Sequence, residues 1–430
     1  MLLLSLLICL LNVLSSGQMP EQAESNTTTI VEENSYQVVE INFSGNWKTK
    51  EGVLLSYLGL NPKQSYAYTD IFNRVNFLQS LYSIYSSNFE LEETYNGYIL
   101  NIKLVEQKTL LPIVNFGFQE SNKWGQLGLV DLNLFGTGDE LLFYYQNNQG
   151  KHGGEVYYKK NRIFGQPINI KTSFLRWSST EPVIFGATER FDYDFTLTQL
   201  GIGLEFLISN QISVSGGISG FTEAYNSYDS NAPGPESLNL TKGLVNLETN
   251  FSNIKYDGIY KENFSINLKA QKVATLGQDD IFYLLQTNLK FFKRIGKYSE
   301  FASQVNVGIA SNSDSPFAPF VIDSYSNVRA AGDRVLRGTG IVSSNFEWRE
   351  ELYKKEKIII QGVAFLDAVS LRLPGNEIQW GINNFNYFVS SGIGFRLHYT
   401  KFYNAVFRLD YGYEITRGDS QVIFGIGQYF

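Results

Sequence analysis

The stretch Phe424-Gly425-Ile426-Gly427-Gln428-Tyr429-Phe430 closes the sequence with an alternation of apolar and small or polar residues that finishes on an aromatic residue. In a soluble domain, such a strand would leave an exposed edge that promotes aggregation. In a transmembrane β-barrel, the same strand pairs with the first strand, so that no edge remains. This stretch therefore predicts that the chain ends in the closing strand of a membrane barrel.

The sequence from about residue 111 to Phe430 supports this prediction, because it alternates with a period of two and has no extended helical pattern. In residues 405–411, for example, apolar side chains alternate with Arg408 and Asp410. An apolar face beside a polar or charged face suits lipid outside and water inside. A soluble barrel would turn its apolar face inward. The pattern predicts an antiparallel transmembrane barrel over residues 111–430, and counting its segments gives sixteen strands.

The predicted connections between these strands alternate in length, as they do in outer-membrane barrels with short turns on one side and long loops on the other. The predicted tight turns are 136–138, 209–211 and 294–296, and the predicted long loops are 177–188, 223–240, 311–336 and 372–384.

The beginning of the chain has the pattern of a secretory signal. An apolar run over residues 1–14 is followed by small residues and predicts cleavage after Gly17, which gives a signal peptide of residues 1–17. Cys9 is the single cysteine and lies inside it, which excludes disulfides and cysteine chemistry from the mature chain. The polar residues 18–35 predict a disordered leader.

The composition agrees with a membrane barrel. The 27 Tyr, 32 Phe and 38 Gly suit transmembrane strands whose ends carry aromatic side chains. The net charge of -7 excludes the basic surface that a nucleic-acid-binding protein needs. A secreted β-sandwich or lectin is the alternative that composition leaves open.

Residues 36–108 show a different, mixed pattern that predicts a small α/β domain. A strand over 38–43 precedes a helix that Thr49 caps and that runs to Leu58. A second helix is predicted over 68–82, and two further strands are predicted over 88–93 and 97–105. This order resembles a POTRA domain, which binds extended segments of client proteins by adding a strand at a sheet edge. A solubilising domain without such a role is the alternative.

The stretch from Gly125 to Gly138 resembles the second strand and first turn of the BamA/TamA superfamily, whose barrels insert outer-membrane proteins or export partner proteins. The resemblance implies a tight first periplasmic turn that contains Asn133, Gly136 and Gly138. Glycines suit such a turn because they accept a positive φ.

A second match to that superfamily lies at the end of the longest predicted loop. Leu336-Arg337-Gly338 resembles the Val-Arg-Gly-Phe/Tyr motif of a loop that folds back into the barrel, although Thr339 replaces the aromatic residue. The resemblance implies that Arg337, followed by Gly338, locks the loop through an ion pair with Glu347 or Asp367. A guanidinium suits this task because its planar fork can bind a carboxylate through two hydrogen bonds. An ordinary exposed arginine is the alternative.

Residues on later strands bear on the same ion pair. Phe346 and Trp348 should face lipid, so Glu347 between them is predicted to face the lumen. Lumen-facing Arg396, Arg408 and Asp410 either extend the predicted ion network or brace a wet lumen.

The two ends of the barrel should meet at a seam between residues 111–118 and 421–430. In the superfamily, a short or strained pairing there forms a lateral gate, and the terminal aromatic residue serves as a recognition signal for insertion. The predicted seam residues are Phe424, Gly425, Gly427 and Phe430. The two glycines weaken strand packing but are also common in ordinary barrels.

The motifs predict assembly of other outer-membrane proteins as the function, without enzymatic activity. No nucleophile elbow, metal-binding histidine pair or phosphate-binding loop occurs, so we expect no catalytic residues, cofactor or metal. The alternatives are a translocation pore of the two-partner-secretion type and a barrel that anchors partner subunits. The expected partners are outer-membrane lipids, unfolded outer-membrane or secreted client proteins, and accessory periplasmic subunits. The expected location is the outer membrane of a Gram-negative-type cell, with the POTRA-like domain in the periplasm.

Overall fold

The computed structural model describes most of the chain. The described ranges are 35–119, 122–185, 189–332, 334–375, 386–399 and 406–430. The predicted signal peptide and all but the last residue of the predicted leader lie outside them, as do residues 376–384 of the last predicted loop. Within the described ranges, no helix has the length and apolar character needed to cross a membrane.

The N-terminal unit is a four-stranded sheet in the order β2-β1-β4-β3, with two helices packed on it. Leu54, Ile71 and Leu100 are fully buried between the helices and the sheet. The elements are β1 (Ser35–Ser44), α1 (Glu51–Leu58), β2 (Gln64–Ala67), α2 (Tyr68–Phe77) with a 3-10 turn (Leu78–Ser80), β3 (Ile84–Thr94) and β4 (Gly97–Glu106).

Three details of the N-terminal unit differ from the prediction. The short edge strand β2 was predicted as a connection, and the second helix gives way to the 3-10 turn before Tyr82. The predicted cap at Thr49 is wrong, because α1 begins after Lys50 and has no side-chain cap. The Thr49 hydroxyl instead bonds to Ser83 at 3.0 Å, in a network that faces the barrel.

The remainder of the chain forms a closed antiparallel barrel of sixteen strands, as predicted. Its strands are β5 (Leu110–Gln119), β6 (Asn122–Leu134), β7 (Asp139–Asn148), β8 (Lys151–Lys160), β9 (Ile168–Phe185), β10 (Glu189–Leu207), β11 (Ile212–Ser227), β12 (Ser237–Ser252), continued by β13 (Lys255–Asp257), β14 (Tyr260–Thr275), β15 (Ile281–Ile295), β16 (Ser299–Ala310), β19 (Gly340–Lys355), β20 (Ile358–Arg372), β21 (Tyr387–Tyr399), β22 (Val406–Glu414) and β23 (Ser420–Ile426).

The strands present an apolar face outward and a polar face inward. On β19, Phe346 and Trp348 are 38% and 43% exposed, whereas Glu347 between them is 1% exposed. Because successive side chains of a strand point to opposite faces, this alternation places Glu347 in the lumen, as predicted.

Two of the predicted long loops are instead mostly strand. Residues 177–185 of the predicted loop 177–188 form the end of β9, and the rest of that loop lies outside the described residues. The predicted loop 223–240 shortens to residues 228–236. The serines and Glu181 near the end of β9 suggest a loop in the sequence, but they are buried in the structure. They are buried because a long loop of the chain lies against this part of the wall.

That loop, residues 311–339, folds into the lumen and is called here the lumen loop. It contains a small hairpin of β17 (Phe320–Ile322) and β18 (Leu336–Gly338). Ile322, Val328 and Leu336 pack with the wall residues Val369 and Phe388 in one buried apolar cluster. The lumen loop thus has its own apolar core, which fixes its path inside the barrel.

Candidate functional site at the barrel seam

Arg329, near the tip of the lumen loop, forms the centre of a buried ion cluster. Its Nε and Nη2 atoms donate to the two carboxylate oxygens of Asp367 at 2.7 and 2.8 Å, and Nη1 donates to Glu347 at 2.6 Å. The guanidinium lies 3.6 Å from the ring centre of Phe365 and 4.2 Å from that of Tyr429. Two hydrogen bonds to one carboxylate and two ring contacts leave the arginine little freedom.

Further charged residues connect this arginine to several strands of the wall. Glu347 also accepts from Arg349 at 2.7 Å and from Arg396 at 3.3 Å. Arg396 in turn donates to Asp410 at 2.5 Å, and Arg349 donates to Glu300 at 2.7 Å. The cluster therefore links the lumen loop to β16, β19, β20, β21 and β22. It includes Arg396 and Asp410, and Arg408 lies at its edge with Nε 3.7 Å from the Asp410 carboxylate.

The predicted ion pair of Arg337 is wrong. Arg337 lies on β18 near the Tyr225 hydroxyl at 3.5 Å, and its nearest carboxylate is Glu181 at 3.9 Å. Glu181 also pairs with Arg334. Glu347 and Asp367 are the partners that were predicted, but Arg329 is the residue that binds them. The sequence contains a short signal for the role of Arg329, because Val328-Arg329 matches the first two residues of the Val-Arg-Gly-Phe/Tyr motif.

The seam between β5 and β23 is short. Its register contains three residue pairs, from Val422 opposite Phe118 to Phe424 opposite Phe116. The rings of Phe116 and Phe424 stack with their centres 4.7 Å apart. By contrast, β9 and β10 pair along their whole length. The seam thus has few main-chain hydrogen bonds of its own.

The lumen loop reinforces this seam from the inside. The Asn115 side chain on β5 donates to the Tyr325 hydroxyl of the lumen loop at 3.1 Å and accepts from the Ile426 main chain on β23 at 3.2 Å. The Tyr429 hydroxyl donates to the Ser324 carbonyl at 3.3 Å. Both sides of the seam are therefore tied to the same short segment of the lumen loop.

The last four residues leave the barrel wall, which corrects the prediction that all seven closing residues form the final strand. β23 ends at Ile426, and Gly427 has a φ of 99°, which turns residues 427–430 away from the strand. Phe430 is 7% exposed and lies near Phe292 and the Arg349 guanidinium.

Gly425 has a steric role at the seam. A Cβ at this position would lie 2.8 Å from the Asn115 carboxamide oxygen. The absence of a side chain therefore leaves room for the hydrogen bond that crosses the seam.

The first turn of the barrel, residues 133–138, holds the N-terminal unit and is called here the docking turn. Asn133 donates to the Thr49 hydroxyl at 2.8 Å, and the Lys50 main chain donates to the Gly136 carbonyl at 2.9 Å. The Asn133 side chain also accepts from the Gly138 main chain at 2.7 Å. Gly136 and Gly138 have φ values of 72° and 74°, as the predicted turn requires. Of the three residues predicted for this turn, Asn133 and Gly136 thus join the two parts of the protein, and Gly138 holds the Asn133 side chain.

A second contact lies beside the docking turn. The Arg162 guanidinium lies 4.6 Å from the ring centre of Tyr57 on α1. Burial raises the pKa of the Tyr57 phenol, while the charge of Arg162 opposes that change.

The two histidines have hydrogen-bond partners that give them structural roles. His398 lies 2.7 Å from the Gln361 carboxamide oxygen in the lumen, and His152 lies 2.5 Å from the Tyr145 hydroxyl on the neighbouring strand. Among the described residues, no group of three or more His, Cys, Asp or Glu side chains is arranged to hold a metal ion.

Solved structures share this fold. No protein-family model and no curated protein matches the sequence. BamA from Haemophilus ducreyi, in a form lacking POTRA domains 1–3, matches with a TM-score of 0.55 and 12% identity over 91% of this chain and 84% of that one. CdiB from Acinetobacter baumannii matches with a TM-score of 0.62 and 12% identity over 91% of this chain and 73% of that one. CdiB from Escherichia coli gives 0.55 and 10% identity over 95% and 94%.

These matches define a class of structure. The chain has the fold of a sixteen-stranded outer-membrane barrel with a small α/β unit before it. Within that class, its architecture is that of the BamA/TamA-type barrels, which confirms at the level of fold the resemblance found in the sequence.

Proposed function

We propose that this protein resides in the outer membrane and assists the insertion of other outer-membrane proteins at its seam, with the N-terminal unit in the periplasm as the site of client capture. The observation that carries the proposal is the seam of three residue pairs, which is tied from inside by the lumen loop. A short pairing can separate at low energetic cost and then offers unpaired main-chain groups to an incoming strand.

The N-terminal sheet offers a second edge. β3 is an edge strand of 11 residues that pairs with β4 on one side only. The other edge, β2, has 4 residues. An extended client segment can add to the longer edge through main-chain hydrogen bonds, which do not depend on the client sequence.

Translocation of a partner protein is the second candidate, and the likeness to CdiB favours it. A translocating barrel needs an open lumen. Here the lumen loop packs through an apolar core and the Arg329 ion cluster, so transport requires that this loop be displaced. Seam opening needs no such displacement of the whole loop, which is why we prefer insertion. A barrel that anchors accessory subunits remains a third role that the same fold can serve.

A reversible cross-link across the seam tests the proposal. Phe116 and Phe424 are replaced by cysteine in a Cys9→Ser background, since opposite residues of antiparallel strands have the spacing that a disulfide needs. The matched control places cysteines at Leu289 and Val305, which are opposite each other on β15 and β16. Each protein is reconstituted into liposomes, and folding of an added unfolded small barrel is followed.

We expect the oxidised seam variant to lose the acceleration of folding and to regain it with reductant, while the control accelerates folding in both states. If the oxidised seam variant stays active, insertion at the seam is excluded. In that case, ion conductance in planar bilayers that rises on removal of the lumen loop would support translocation.

A further inference from the structure

One end of the barrel carries large aromatic side chains that the protein leaves exposed. Phe135 in the docking turn is 78% exposed, Phe164 in the turn between β8 and β9 is 96% exposed, and Trp47 in the N-terminal unit is 62% exposed. Phe135 and Phe164 have φ values of 51° and 52°, which are uncommon for bulky residues. Exposed apolar groups on such strained turns indicate that water is not their final environment.

The loop that carries Trp47 is fixed to the barrel through the residues that directly follow Trp47. Next to it, Lys48 Nζ lies 2.8 Å from the Asp131 carboxylate, and the Lys50 main chain binds the docking turn. The Lys48 main chain also donates to Glu106 at 2.7 Å. Trp47 therefore has a defined position at the rim of the barrel, although it belongs to the N-terminal unit.

Asp131 shows which side of the wall this loop reaches. Along β6, Leu127 and Leu129 are 63% and 52% exposed on the outer face, and Asp131 follows in the same alternation. Leu110, which is opposite Asp131 on β5, is 53% exposed. Lys48 thus pairs with a carboxylate on the outer side of the wall, at the lower end of the lipid-facing band and beside the seam strand.

The indole ring of Trp47 is suited to the boundary of a lipid bilayer. Tryptophan side chains collect at the boundary between hydrocarbon and headgroups, because the ring is apolar and the N–H group donates a hydrogen bond. The exposed Lys50 on the same loop favours lipid phosphates by its charge. The exposed side chains of Leu110 and Leu129 carry the apolar outer face of β5 and β6 to the strand ends where the Trp47 loop is attached.

We propose that Trp47 inserts into the headgroup boundary of the leaflet on the side of the N-terminal unit, next to Phe135 and Phe164. The N-terminal unit is then held by the bilayer as well as by the docking turn. The lipid contact fixes the unit beside β5, so that its sheet stays close to the seam. The ligand is the membrane surface itself, with glycerophospholipid headgroups as the chemical class.

Tyr95 supplies a control within the same unit. It is 103% exposed in the turn between β3 and β4. β4 has 10 residues and leads towards β5, so its far end lies roughly 30 Å from the rim at about 3.3 Å per residue. A label at Tyr95 therefore reports the part of the unit that should not meet lipid.

The test uses the full chain with Cys9→Ser and one cysteine at a time, at Trp47, Tyr95, Phe135 or Phe164, each labelled with an environment-sensitive fluorophore. The variants are reconstituted into phosphatidylcholine–phosphatidylglycerol vesicles with or without brominated acyl chains, and heat-dependent gel mobility confirms that each barrel is folded. We expect quenching at 47 to be several-fold stronger than at 95 and similar to that at 135 and 164. Quenching at 47 as weak as at 95 would overturn the proposal, whether or not 135 and 164 are quenched.

Discussion

Replacement of Arg329 by alanine tests whether this residue, and not Arg337, holds the lumen loop. In the variant, Glu347 keeps Arg349 and Arg396 as partners. Asp367 loses both guanidinium hydrogen bonds but, among the described residues, keeps two neutral donors, the Asn345 amide at 2.9 Å and the main-chain N–H of residue 329 at 3.1 Å. Removal of one partner from a buried pair costs about 3–5 kcal/mol, because a charge remains buried without compensation.

The same reasoning predicts a much smaller loss of stability for Arg337→Ala. Its contact with Tyr225 is 3.5 Å long, and Glu181 keeps its ion pair with Arg334 when Arg337 is removed. We therefore expect Arg337→Ala to cost about 1 kcal/mol, the size of one ordinary hydrogen bond.

The measurement is the temperature at which the barrel loses its folded mobility on a semi-native gel. With an unfolding entropy of about 2.1 cal/mol/K per residue, Arg329→Ala should lower that temperature by roughly 3–8 °C, and Arg337→Ala by about 1–2 °C. Arg329→Lys should recover part of the loss, since lysine keeps the charge but not the planar fork. Adding Asp367→Asn to Arg329→Ala should also restore stability, because it removes the uncompensated charge. Equal losses for the two alanine variants would refute the reasoning.

Two further variants test the seam and the docking turn. Asn115→Ala removes one hydrogen bond to the lumen loop and another to β23, so we expect a loss of about 1–3 kcal/mol and faster hydrogen–deuterium exchange at residues 422–426; unchanged exchange would show that the asparagine does not hold the seam. Gly136→Ala places a Cβ 1.9 Å from the Lys48 carbonyl and should speed proteolysis between the N-terminal unit and the barrel. Gly150→Ala is the matched control, because its φ is 82° but its Cβ meets no atom within 4 Å; equal proteolysis of the two variants would mean that backbone strain alone is responsible.

The barrel was predictable from the sequence because its signal is local. A period of two with apolar residues on one face depends only on neighbouring residues. This pattern was enough to predict the number of strands and the inward direction of Glu347. The docking turn was predictable for the same reason, since Gly136 and Gly138 mark positive φ values on their own.

Which arginine of the lumen loop enters the ion cluster was not predictable in the same way. Arg329 and Arg337 are separated by eight positions in one loop, and only the path of that loop decides which of them reaches Asp367. That path is set by burial of Ile322, Val328 and Leu336 among wall residues that are distant in sequence. The extent of β9 was missed for a related reason, because its polar end is buried by the same loop.

The strands that meet at the seam are much shorter than those further round the wall. β23 and β5 have 7 and 10 residues, whereas β9 and β10 have 18 and 19. A strand of 7 residues extends roughly 23 Å before any tilt, which is less than the ~30 Å hydrocarbon thickness of a typical bilayer. The bilayer beside the seam must therefore become thinner to match the height of the wall, whereas the bilayer beside β10 need not. The protein thus creates a gradient of hydrophobic mismatch around its circumference, with its thinnest bilayer at the place where the barrel is held together most weakly.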